Sequence, residues 1–144
     1  MTKTFEAQVD DWVSRCSEAL TAVARQSIQD VINEASLTKG KGGKMPIDTG
    51  FLRASGRSSL TGWPSGPSEN PEKLPYPSDD KYSMTGTIQA DLATMELGDT
   101  FYFGWTAVYA LQQETYNGFL GSALQNWQSI VDDNVIELRQ RMGL

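Results

Sequence analysis

Residues 4–36 constrain the fold more than any other part of this chain. Phe5, Val9, Trp12, Cys16, Leu20, Val23, Ser27 and Val31 recur at three- and four-residue steps. Val13, Ala24, Ile28, Ile32 and Ala35 widen the same stripe, and no Gly or Pro interrupts it. That spacing is the 3.6-residue period of an amphipathic helix. About 32 residues at about 1.5 Å each give a rod of about 48 Å. A compact domain of this length has a radius of gyration of only about 14–15 Å. The helix is therefore expected either to bend or to project beyond its own domain and pack on a neighbouring subunit.

With 144 residues, the chain is read as one domain, 1–144, long enough to bury a sizeable core. No run of 18 apolar residues stands in it, and Met1–Glu6 lacks the apolar centre of a signal peptide, so secretion by that route is not expected. Cys16 is the only cysteine and there is no histidine. These counts exclude an internal disulfide and a Cys/His zinc site within one chain, and remove the commonest general base near neutral pH. No cofactor or metal is expected. Cys16, on the apolar stripe, reads as a buried, inert thiol.

Net charge is −6, against a whole-surface attraction to nucleic acid. The exception is residues 38–57, which carry +4. Within them, three glycines and three lysines in Thr38–Lys44 argue for a flexible loop. Pro46 follows, then a short helix to about Ser55, capped by Asp48 or Thr49 and stopped by Gly56.

Residues 57–83 form an extended Pro/Gly/Ser-rich loop holding five of the six prolines. A connection of this length is uncommon in a compact domain unless it has a function or is disordered. Proline restricts the free chain and lowers the cost of ordering it later. Trp63, Leu74, Tyr76 and Tyr82 give this loop apolar area for a contact, with Trp63 as an interface anchor.

Residues 84–97 and 100–106 read as two strands. Ile88, Ala90 and Leu92 alternate on one, and Phe101, Phe103 and Trp105 on the other. Gly98-Asp99 is placed to turn the hairpin, with Leu92 opposite Trp105 and Thr94 opposite Phe103. A second amphipathic helix, about Phe119 to Met142, closes the chain. Leu120, Ala123, Leu124, Trp127, Ile130, Val131, Val135 and Leu138 line one side, and Asn117 or Ser122 is its expected cap. The fold class is therefore α+β, with N- and C-terminal helices packed on a small antiparallel sheet. Trp12, Trp105 and Trp127 are expected in the core.

Three chemical motifs meet competing bland readings. Gly40–Lys44 lacks the spacing and preceding strand of a phosphate loop. Asp48-Thr49-Gly50 matches the aspartic-protease triplet, which needs a second carboxylate across a cleft and a strand-rich setting. Long helices flank it here, so a packed, capped helix anchored by Phe51 and Leu52 is favoured. Adjacent Asp79-Asp80 and Asp132-Asp133 suit solvated turns or helix faces. Glu114 is expected to pair with Arg53 or Arg57 and so fix orientation.

Two segments carry a resemblance. Pro46, Asp48, Thr49, Gly50, Leu52, Arg53 and Ser55 make a Pro-x-Asp-Thr-Gly-x-Leu-Arg-x-Ser run. Tyr109, Ala110 and Glu114 make Tyr-Ala-x-x-x-Glu. In this order, after a long first helix and before a terminal one, they resemble the small tail-completion (neck, or head–tail joining) proteins of long-tailed bacteriophages. Two departures stand out. That family carries Gly-Thr two residues after the glutamate where this chain has Tyr116-Asn117, and the proline loop here is longer.

The resemblance implies a non-enzymatic virion protein in the phage neck or tail, assembled in the host cytoplasm. Its copies would form a homo-oligomeric ring, six in number, between the head connector or stopper and the tail terminator or tail tube. DNA would pass through the lumen without specific binding, as an acidic wall favours. Lys39, Lys41, Lys44, Arg53, Arg57, Trp63, Leu74, Tyr76, Tyr82 and Glu114 are the candidate subunit or partner contacts. The alternatives are a tail terminator ring of the same particle or, in a different class, a nucleic-acid-binding module using the basic segment 39–57.

Overall fold

The computed structural model describes residues 4–46, 50–66, 68 and 86–143. Helix α1 runs Phe5–Ala35. Thr4 caps it, its hydroxyl accepting from the Ala7 N–H at 3.1 Å, and Glu6 adds a favourable charge in the first turn. A 3-10 turn at Lys39–Lys41 leads to the short helix α2, Phe51–Ala54, and strand β1, Gly56–Ser59. Then come helix α3 (Gly86–Thr94), strand β2 (Tyr102–Trp105), and helices α4 (Ala110–Asn117), α5 (Phe119–Gln125) and α6 (Trp127–Met142). The α+β class stands, with long first and last helices and a two-stranded antiparallel sheet.

The sheet is not the expected hairpin. Residues 86–94 are helical, and β2 pairs with β1, setting Gly56 opposite Trp105 and Ser58 opposite Phe103. Ile88, Leu92 and Met95 explain the difference. They are spaced four and three residues apart, so a helix gathers all three on one face, and all three are buried. The alternation of Ile88, Ala90 and Leu92 suited a strand equally well, and only the packing against Ile32 of α1 separates the two periods. Gly56, expected to stop a helix, instead opens β1. The alternation on β2 holds: Phe101 and Phe103 pack beside Ile32, Ile88 and Leu92, and Trp105 joins the neighbouring clusters.

The basic segment after α1 is a folded turn. Lys41 and Gly43 donate to the Thr38 carbonyl at 3.0 and 2.9 Å. Lys39 donates to Met45 O at 3.0 Å and Met45 to Leu37 O at 3.1 Å. Gly43 allows this closure: a Cβ there would stand 1.9 Å from the Leu37 carbonyl oxygen. The fully buried Met45 then plugs into a cluster with Phe51, Leu52, Ala107 and Phe119.

The terminal helix is broken. A separate helix, α4, precedes it, and the chain bends at Asn126 between α5 and α6. The Asn126 side chain donates to Glu34 at 2.6 Å, drawing the bend onto α1. From there α6 runs antiparallel to α1. Asn134 donates to Ser27 and Asp30 at 3.1 and 3.0 Å, and Ile130 packs by Val31. At 16 residues, α6 spans about 24 Å of the about 46 Å of the 31-residue α1. Helix α1 therefore outruns its cover.

Candidate interaction surface

The two sequence motifs meet. Gly50 adopts φ +86°, a left-handed conformation that a side chain resists, and turns the chain into α2. Phe51 and Leu52 then point into the core, 3% exposed each, and the Phe51 ring lies 6.5 Å from that of Tyr109. Ser55 ties the knot from both sides. Its hydroxyl donates to the Leu52 carbonyl at 2.7 Å and accepts from the Ala107 N–H at 3.2 Å. Its carbonyl accepts from the Thr106 N–H at 3.1 Å. The Pro-to-Ser segment thus locks α2 to the end of β2, where the Tyr-Ala segment begins.

Most of the charged candidates in this region work inside the molecule. Arg53 is buried, and its Nε donates to the Ser36 carbonyl at the end of α1 at 2.9 Å. Arg57 is half-buried, one Nη donating to the Ala54 and Gly56 carbonyls at 2.6 and 2.8 Å. Glu114 does not pair with either arginine. Its two carboxylate oxygens accept from the N–H groups of Leu120 and Gly121 at 2.8 and 2.9 Å. Those are orphan donors at the start of α5, so Glu114 caps that helix from the preceding one. Neither expected cap serves: Asn117 donates back to the Gln113 carbonyl, and Ser122 accepts from Lys44 Nζ at 2.8 Å. A glutamate several residues before a helix start is weak evidence of capping in a sequence, because a tight turn must bring it back.

Lys39, Lys41 and Lys44 stand exposed on the turn. Trp63 is 81% exposed and meets Tyr102 edge-on, centroids 5.2 Å apart. Leu74, Tyr76 and Tyr82 lie outside the described residues, as do the proposed caps Asp48 and Thr49, so the protease triplet is not placed. Ser78 and Lys81 have a Ser-x-x-Lys spacing but lie outside the described residues, and Ser36-Leu37-Thr38-Lys39 repeats it. Ser36 is fully buried and Lys39 is exposed, so no cleft brings the two to a substrate. Among the described residues no three Cys, Asp or Glu side chains gather as metal ligands. No described helix is long and apolar enough to cross a membrane.

The larger departure from expectation concerns the tryptophans. Trp105 is half-buried against the core, edge-on to Phe103 and Phe119 at 4.9 and 5.0 Å. Trp12 and Trp127, expected in the core, are 65% and 40% exposed. Cys16 is half-buried. The stripe on α1 is real, but over its first four turns the described residues leave most of it open: Phe5, Val9, Trp12, Val13 and Leu20 are all exposed. Among the described residues twelve apolar side chains are buried, whereas sixteen large ones are exposed. Single exposed apolar residues are ordinary, but contiguous ones mark contact surfaces.

Searches of protein-family models, of curated proteins and of solved structures each returned no match.

Proposed function

We propose that this chain is a structural subunit of a bacteriophage neck, a tail-completion-type protein. Its copies form a ring that joins the head connector to the tail tube and leaves a channel for DNA. The observation that carries this reading is the mismatch between what the fold buries and what it leaves exposed. A small core holds the monomer, while an apolar helix half and the Trp63 and Trp127 faces remain for other subunits. The two segments that resemble the neck family support it in a second way. They knit α1, β2 and α5 into one rigid block, which suits a part whose function is its shape.

The reading of segment 39–57 as a nucleic-acid module is disfavoured by the same contacts. Arg53 and Arg57 spend donors on backbone carbonyls, leaving three exposed lysines on a chain of net charge −6.

The test is location. Proteomic and immunogold examination of purified particles should find the protein at the head–tail junction. Disrupting its gene should leave filled heads and finished tails unjoined. Absence from particles, or normal joining without the gene, overturns the reading.

A further inference from the structure

Helix α6 lies along α1 without sinking into it. None of its 16 residues is buried, whereas the shorter α5 before it buries Phe119 and Ala123. Ile130, Asn134 and Leu138 recur every four residues on the side toward α1, and all three are only half-buried. Alongside them a cleft of about 360 Å³ opens between the helices, lined by Val23, Gln26 and Asp30 of α1 and by Asn134, Glu137 and Leu138 of α6. The middle of the seam is polar. Ser27 is fully buried, and its hydroxyl and the Asp30 carboxylate each accept from the Asn134 amide. Water replaces such bonds when two helices part, so they hold the seam in register more than they hold it shut.

We infer that α6 is a releasable strap: it lifts off α1 as a unit about Asn126 while the other described elements stay packed. Three observations carry this. The first is how little the core loses. The cluster of Val31, Ala35 and Ala123 is also packed by Trp105 and Leu120, and Ile130 is the side chain that α6 adds to it. The clusters around Phe51 and around Ile88 include no α6 residue.

The second is the hinge. Asn126 stands outside both helices, and its N–H closes α5 by donating to the Ala123 carbonyl at 3.1 Å. Its side-chain bond to Glu34 is exposed, so solvent competes for it. The third is that α6 carries its own helix supports. Gln128 donates to Asp132 and Arg141 pairs with Glu137, both four residues apart. Arg139 and Arg141 meet the negative end of the helix dipole, and Gly143, at φ +72°, ends the helix. A lifted α6 therefore keeps part of its helix and docks again without refolding from coil.

Lifting the strap changes what α1 presents. Val23 and Ser27 join the exposed Phe5, Val9, Trp12, Val13 and Leu20 on one stripe. Closed, the strap withholds the second half of that stripe; released, it frees the half for a contact. The device belongs to the single chain and does not rest on the neck reading.

Residue-resolved amide hydrogen exchange on the full chain in dilute solution tests the proposal. Sixteen residues make only a marginal helix alone, so the amides of residues 131–142 exchange from the lifted state. Their protection is expected to be uniform and at least a hundredfold below that of residues 27–35 of α1. Ile130→Ser should lower it at least tenfold further and leave residues 27–35 unchanged. Ser27→Ala with Asn134→Leu makes the seam apolar, while Asp30 keeps its bond from Gln26 at 2.8 Å. That pair should raise the protection of α6 at least tenfold. The two variants act in opposite directions, so a misfolded one leaves the other decisive. Protection of residues 131–142 equal to that of residues 27–35 overturns the proposal. So does protection that fades steadily toward Met142, the signature of end fraying, or an apolar seam that leaves it unchanged. An Ile130→Ser variant in which both sets fall together overturns it too, since α6 then opens only with global unfolding.

Discussion

The Ser55 hydroxyl accepts a hydrogen bond from the backbone N–H of Ala107 at 3.2 Å, across 52 positions of sequence. Both residues are buried, and the contact joins the helix that ends one motif to the segment that opens the other. Ser55→Ala removes the acceptor and strands a buried N–H, which costs about 1–3 kcal/mol. Urea unfolding should show a lower midpoint with an unchanged slope, since the folded shape is kept.

Glu114 supplies two charge-assisted bonds to the start of α5. Glu114→Ala should cost about 0.5–2 kcal/mol, as loss of a helix cap does. Glu114→Gln keeps one acceptor oxygen and should cost less. A double-mutant cycle with Arg53→Met separates the cap from an ion pair. The coupling should stay below about 0.5 kcal/mol, the scatter of independent sites. A coupling of several times that would restore the ion pair.

Trp105 carries a buried indole N–H with no acceptor among the described residues. Its ring packs on Phe103 and Phe119, so the side chain stabilises through apolar area while its nitrogen subtracts. Trp105→Phe should change stability by no more than about 1 kcal/mol, because the unsatisfied donor leaves with the lost area. Trp105→Ala should cost about 3–5 kcal/mol. Equal losses in thermal denaturation of the two variants would contradict this account.

Gly43 has no room for a methyl group, since the clash is with backbone of Leu37 and not with a flexible side-chain end. Gly43→Ala should cost about 1–3 kcal/mol, the range for overpacking. Gly40→Ala, where a Cβ meets nothing within 4 Å, is the control and should be close to neutral. Comparable losses at both positions would mean that the turn is not closed as described.

Helix α1 was legible almost to its ends, because thirty residues without a breaker leave one period and no rival. The class was legible for the same reason, as was the alternating face of β2. Helix α3 was not. Ile88 and Leu92 fit a strand face and a helix face alike, and the choice falls to Ile32, more than fifty residues away. The partner of β2 was hidden too, since Gly56–Ser59 carries no apolar alternation and pairs through its backbone. For the candidate surface, Trp63 and the three lysines were found from composition. Arg53, Arg57 and Glu114 had the right chemistry for partner contacts but are drawn inward by carbonyls and N–H groups that no sequence pattern marks.

The sequence by itself determined the period of its long segments: that the first and last stretches are helical, which side of each is apolar, and where charge collects. Only the tertiary structure decided coverage. An apolar stripe reads the same whether its own chain or another buries it. Helix α6 is about half as long as α1, so Val31 is core while Trp12, on the same stripe, stands exposed among the described residues.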